Sequence, residues 1–199
     1  MPRRTGTERL EARKARLGRH AVEPDPAVVL TAAARFLELR SRSVDEVRRH
    51  LTAAAFPAAL VDGAIDRLLQ LGWLDDRAFA TAWVESRDRA RPRGQVALRR
   101  ELALKGIDRE TVDEVLAQRD EAGRDNDDEE SGRRPRGGSA DEVAAERLLQ
   151  KSGAALQRID DPRARRQRAY ALLARNGFDP DVCREVSTQF ATPDAGLDD

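Results

Sequence analysis

Two adjacent carboxylates, Asp75 and Asp76, are the first residues in this chain that could do acid–base or metal chemistry. Neighbouring side chains at a helix start diverge, so the pair is poorly placed to share one metal. A capping residue followed by a first-turn acid facing the helix dipole accounts for both. His20 and His50 have no Asp, Glu or Cys at metal-ligand spacing, and no glycine-rich phosphate loop is present. Cys183 is the only cysteine, which excludes a disulfide framework and a cysteine-based zinc site. It occupies a position held elsewhere by valine, so it reads as a small buried hydrophobe. No catalytic residue, cofactor or metal is expected.

Arginine is the remaining candidate. The only lysines are Lys14, Lys105 and Lys151, and arginine forks phosphates and carboxylates better than lysine does. Arg87, Arg89, Arg91, Arg93, Arg99 and Arg100 fall within 14 residues, opposed there only by Asp88. Arg163, Arg165, Arg166 and Arg168 form a second cluster, and Arg48 and Arg49 hold a comparable place earlier in the chain. A solvated surface would explain one such cluster. Its recurrence suits a stripe that meets phosphates or an acidic protein surface.

These clusters sit beside a repeated phrase. Leu51 to Phe56, Leu102 to Ile107 and Leu173 to Phe178 each read as a helix end, a left-handed stop and an apolar residue. Each is followed five residues later by Val61, Val112 or Cys183. Gly106 and Gly177 suit the stop, whereas Ala55 departs from it, leaving Pro57 as an alternative terminator. Phe56 to Ile107 spans 51 residues and Ile107 to Phe178 spans 71. The 20 extra residues match an insertion before the third phrase.

The fold class predicted is all-α, an elongated tandem of three helix-turn-helix-like three-helix modules. Residues 1–24 form a basic arm expected to be disordered, either solvated or meeting nucleic acid. Module one covers 25–73, opening at Asp25-Pro26, with Ser43 and Glu46 as a capping box for its second helix. Module two covers 74–120. Residues 121–138 form an acidic, then Gly/Arg-rich linker expected to be disordered. Module three covers 139–190, opening on a Ser139/Glu142 capping box, and 191–199 form an acidic tail also expected to be disordered. Trp73 and Trp83 read as core residues, with base stacking as the alternative.

With 40% hydrophobic and 36% charged residues, the chain can build a modest helical core under a charged surface. It has no signal-like apolar segment and no stretch of membrane-spanning length. A cytoplasmic protein is expected.

The order of residues around Leu74, Asp75 and Asp76 resembles a known signature. Leu71-Gly-Trp-Leu-Asp-Asp-Arg-Ala-Phe-Ala80, followed by Trp83-Val84 and Arg87, is similar to the regulatory protein RecX family. Arg40-Ser-Arg-Ser43 with Glu46, and Arg99-Arg-Glu-Leu102 with Gly106-Ile107, resemble its flanks. The resemblance covers about residues 28–119 strongly and 139–190 more loosely. It implies a non-enzymatic protein that binds the recombinase RecA in the groove of its filament on single-stranded DNA, and a monomer is expected. It also implies inhibition of ATPase, strand exchange and co-protease activity. The candidate contacts are then Arg48, Arg49, Arg87, Arg91, Arg93, Arg99, Arg100, Arg163, Arg165, Arg166 and Arg168. Leu74, Asp75, Asp76, Phe79, Trp83, Gly106 and Gly177 are architectural. The alternative is a nucleic-acid-binding helical repeat that needs no RecA, against which the zero net charge counts. A helical scaffold with no nucleic-acid role is a third reading.

Overall fold

A computed structural model describes residues 25–130 and 139–191, and for 123–130 the backbone alone. The expected basic arm, the second part of the linker and the tail beyond Ala191 lie outside the described residues. All regular structure among the described residues is helical. Helices α1 (Pro26–Glu38), α2 (Val44–Ala53) and α3 (Ala58–Gln70) make module one. Helices α4 (Asp76–Ala90), α5 (Gln95–Leu104) and α6 (Arg109–Glu130) make module two. Module three holds α7 (Ala140–Lys151), α8 (Gly153–Gln157), α9 (Pro162–Arg175) and α10 (Pro180–Ala191). None is long and apolar enough to cross a membrane.

The starts follow local chemistry. The Asp25 carboxylate accepts from the Ala27 amide and Ser43 Oγ from the Glu46 amide. Ser139 and Glu142 form the full reciprocal capping box. Each such cap satisfies amides that the first helical turn leaves unpaired.

The stops repeat in detail. The amides of Phe56, Ile107 and Phe178 donate to the carbonyls of Leu51, Leu102 and Leu173 at 3.3, 3.1 and 3.4 Å. This is the six-residue bond of a Schellman stop. Ala55 takes φ 64°, beside 79° at Gly106 and 78° at Gly177. Module one therefore ends its second helix by the same left-handed turn despite lacking glycine, and Pro57 comes after the stop is complete.

Burial repeats with the turns. Leu51, Leu102 and Leu173 are fully buried, as are Val47, Leu98 and Ala169 one helical turn earlier. Val61, Val112 and Cys183 are buried after each stop. Each module thus closes its core between the helix that ends at the stop and the helix that follows it.

Four expectations change. A fourth Schellman stop, Trp73 amide to Leu68 carbonyl at 2.9 Å, ends α3. It leaves Trp73 59% exposed rather than in the core. At the other three stops a further helix of the same module follows and covers the apolar residue, whereas α3 is the last helix of its module. Secondly, α6 runs on to Glu130, through the first half of the expected linker. Propagating a helix already nucleated by the core is easier than starting one, and no proline intervenes before Pro135. Thirdly, α8 was absent from the expected three-helix plan, and its Leu156 is buried in the module-three core. It absorbs part of the extra spacing. Ala33 to Val47 and Val84 to Leu98 each span 14 residues, while Leu149 to Ala169 spans 20. Finally, the chain divides into two compact units, one ending at Leu74 and one beginning at Asp75. Modules two and three, expected to stand apart across the linker, share the second unit.

The strained turn in module one is testable. Ala55→Gly relieves a left-handed alanine and is expected to raise stability by about 0.5–1 kcal/mol, while Gly106→Ala lowers it by about 1 kcal/mol. Urea unfolding of both variants measures this, and equal shifts of the same sign would contradict it.

Candidate functional site

Among the described residues, those with catalytic potential are accounted for structurally, and His20 lies outside them. The Asp75 carboxylate accepts from the Ala78 amide at 2.8 Å and caps α4, with Asp76 in the first turn. His50 stacks on Phe36 at 3.9 Å between ring centroids, and the Arg42 guanidinium lies 4.1 Å from the same ring. Cys183 is buried, and burial pushes its thiol above the ordinary range. No group of three His, Cys, Asp or Glu able to hold a metal occurs among the described residues.

In the first unit the candidate arginines are engaged within their own module. Arg48 pairs with Asp62, and Arg49 with Asp45 at 2.8 Å. Both pairs are solvent-exposed and individually weak.

In the second unit α4 and α5 hold a compact cluster. Trp83 Nε1 donates to Glu101 Oε2 at 2.9 Å, and Arg87 Nε donates to the same oxygen at 2.7 Å. The Arg87 guanidinium lies 4.5 Å and the Lys105 ammonium 4.8 Å from the Trp83 ring. Phe79 sits 6.0 Å from that ring on the core side. Trp83 is therefore a half-buried packing residue with its indole N–H and its face both occupied. Arg99 reaches Asp113 at 3.1 Å and Gln95 Oε1 at 2.9 Å.

The joint between modules two and three is built on one buried cation. Arg119, on α6, is 7% exposed. Its guanidinium donates to both Asp88 oxygens on α4 at 2.9 Å and to Asp141 Oδ1 on α7 at 2.6 Å. Asp141 Oδ2 in turn accepts from the Gln95 amide at 2.9 Å. Gly94, the capping residue of α5, has no side chain to offer, so module three supplies the cap. Burial raises the Asp141 carboxyl above the usual range, against the pull of the Gln95 amide and Arg119. Burial also opposes the charge on Arg119, and its bonds to Asp88 and Asp141 outweigh that.

Backbone contact completes the joint. The Gly94 amide donates to the Asn176 carbonyl at 3.1 Å, and Arg93 Nη1 donates to Asn176 Oδ1 at 2.7 Å. A Cβ on Gly94 would overlap the Gly177 carbonyl, and one on Gly177 would overlap Ala97. These two glycines let the helix stop of module three press on a helix start of module two.

The candidate arginines thus fall into two groups. Arg48, Arg49, Arg87, Arg93 and Arg99 are held by side-chain partners, and Arg165 by the Ile159 carbonyl at 2.9–3.0 Å. Arg91, Arg100, Arg163, Arg166 and Arg168 are exposed with no side-chain partner among the described residues, and all five lie in the second unit. Sequence spacing does not single out Arg119, Asp141, Glu101 or Lys105. Asp141 reads as an ordinary first-turn acid of α7, and no spacing rule marks the one arginine whose partners lie 31 residues behind and 22 ahead.

Comparison with known proteins bears on most of the chain. The family model for the first three-helix domain of RecX matches residues 30–68, and that for the second matches residues 75–116. Regulatory protein RecX of Chlorobium phaeobacteroides is 32% identical over 167 residues, covering 84% of this chain and 96% of the relative. Regulatory protein RecX of Mycolicibacterium vanbaalenii is 30% identical over 160 residues, 77% of each. The crystal structure of RecX from Lactobacillus salivarius superposes with a TM-score of 0.67 at 17% identity, over 83% of this chain and 96% of that one.

Removing Arg119 leaves Asp88 and Asp141 without their shared counter-charge. Arg119→Leu is expected to destabilise the second unit by about 3–5 kcal/mol. Arg48→Gln, at an exposed pair, is expected to change stability by less than about 1 kcal/mol. Chemical denaturation followed by circular dichroism compares the two, and similar small losses would refute the role given to Arg119.

Proposed function

The chain belongs to the RecX family of regulatory proteins, and from that premise we propose that it modulates the recombinase RecA. In this reading it binds in the groove of the RecA filament on single-stranded DNA and lowers ATPase, strand exchange and co-protease activity. It acts as a cytoplasmic monomer and contributes no catalytic step of its own.

The observation that supports this most is the distribution of unpaired arginines. Arg91, Arg100, Arg163, Arg166 and Arg168 are exposed in one compact unit with no side-chain anion paired to them among the described residues. Six other arginines of the same clusters serve the fold. A surface that holds several uncompensated guanidiniums on a rigid support suits a polyanionic or acidic partner. A rigid body seated along a filament groove would hinder the subunit movements that accompany ATP turnover.

A titration of RecA ATPase on single-stranded DNA tests the proposal. Substoichiometric wild-type protein is expected to suppress hydrolysis. Arg100→Glu combined with Arg168→Glu is expected to need about tenfold more protein for the same effect, a loss of ~1.4 kcal/mol. Arg48→Gln is expected to behave as wild type. ATP hydrolysis unchanged by the wild-type protein would sink the reading.

A further inference from the structure

Modules two and three keep separate apolar cores. The cluster holding Phe79, Val84, Leu98, Leu102 and Leu116 shares no residue with the one holding Ala144, Leu149, Leu173, Phe178 and Val186. The bonds that run from one module to the other are polar. Asp141 holds Arg119 and the Gln95 amide, and Asn176 holds Arg93 and the Gly94 amide. Lys151 Nζ donates to the carbonyls of Arg89 at 3.0 Å and Ala90 at 3.2 Å, at the end of α4. Parting the modules would leave both cores closed, so the burial of apolar area holds each module together more than it holds the pair.

The docked arrangement carries a cost at the same place. Among the described residues, Arg42 Nε, Arg93 Nε and Asp120 Oδ1 are buried without a hydrogen-bond partner. Two of these belong to the joint. Arg93 reaches Asn176 through Nη1, while its Nε has only Glu101 Oε1 at 3.7 Å. Asp120 accepts from the Gln95 side chain at 2.7 Å through its other oxygen. Burial, and then the neighbouring Asp120 charge, oppose ionised Asp141 against the pull of the Gln95 amide and Arg119. Water entering the joint would satisfy these groups.

Separation also strands no charge. Arg119 keeps Asp88, which lies in its own module. Asp141 and Lys151 pass into water, as do the amides and carbonyls they held. A partial slip is different, because it would leave Arg119 and Asp141 apart yet still buried. The joint therefore has two favourable states, fully docked and fully parted, with the costly arrangements between them.

We propose that this joint is a reversible latch, in which module three docks on and releases from module two as a folded body, with the Arg119–Asp141 pair as the bolt. Release changes the spacing between Arg100 on α5 and Arg163, Arg166 and Arg168 on α9. That consequence rests on the proposed function, whereas the latch itself does not.

Native-state amide exchange, followed by nuclear magnetic resonance on the full chain without RecA, tests the latch. The Gly94 and Gln95 amides bond only across the joint, to Asn176 and Asp141. The Ile107 and Phe178 amides bond within modules two and three, to Leu102 and Leu173. After correction for intrinsic rates, Gly94 and Gln95 are expected to exchange together, about a hundredfold faster than Ile107 and Phe178. Asp141→Asn keeps an acceptor for the Gln95 amide and removes the charge that meets Arg119. It is expected to speed Gly94 exchange by about tenfold and leave Ile107 and Phe178 unchanged. Gly94 and Gln95 exchanging no faster than the two core amides would overturn the proposal, since the joint would then open only on unfolding. Phe178 exchanging as fast as Gly94 would overturn it too, because module three would be unfolding instead of releasing. An Asp141→Asn variant that speeds all four amides alike, or none of them, would remove the bolt assigned to Arg119 and Asp141. None of these outcomes bears on the action on RecA, which the ATPase titration tests separately.

Discussion

A guanidinium that is almost wholly removed from water must have its charge met where it sits. Arg119 meets that constraint with Asp88 from its own module and Asp141 from the next. The geometry of the second unit follows from that requirement. Asp141 can reach Arg119 only if the start of α7 lies against the start of α5, where its other oxygen also satisfies an otherwise uncapped amide. A buried ion pair is weak evidence of net stability, but it is strong evidence of a defined arrangement, since any slippage would leave a charge buried alone. The two glycines at the contact allow the approach, and Asn176 holds both sides of it.

The recurring helix stop does different work. It belongs to each module by itself, turning the chain through a left-handed residue and seating an apolar side chain over the fully buried leucine at the helix end. Module one accomplishes this with alanine at φ 64°, so the turn is imposed by packing even where the residue resists it. At Gly177 the local stop and the intermodule contact coincide. The same residue that ends α9 is the one against which α5 begins, which makes the third module's turn a docking surface as well as a corner.

Membership of the RecX family gives a meaning to the arginines, and the structure separates their roles. Arg87 and Arg99 brace helices, Arg93 ties the modules, and Arg91, Arg100, Arg163, Arg166 and Arg168 stay exposed with no side-chain partner among the described residues. Counting basic residues along the chain would treat them alike. Their difference lies in whether a carboxylate, carbonyl or amide happens to come within reach after folding.

Helix caps, the repeated stops and the periodic core were legible in the residues alone, because each depends on neighbours within a turn or two. Asp75 caps α4, Ser139 and Glu142 close a box, and Leu51, Leu102 and Leu173 recur at the same point of the same phrase. The position of Trp73 was not legible, because its exposure depends on whether another helix of its module covers it. The run of α6 through the expected linker was not legible either, because acidic composition opposes a helix that an upstream core nevertheless propagates. The pairing of Arg119 with Asp88 and Asp141, the capping of α5 by a residue of α7, and the sorting of arginines into bound and free were decided only by the tertiary structure. Short-range order is written in spacing, whereas a charge buried between modules is defined by which surfaces meet, and that is settled by the packing of the whole unit.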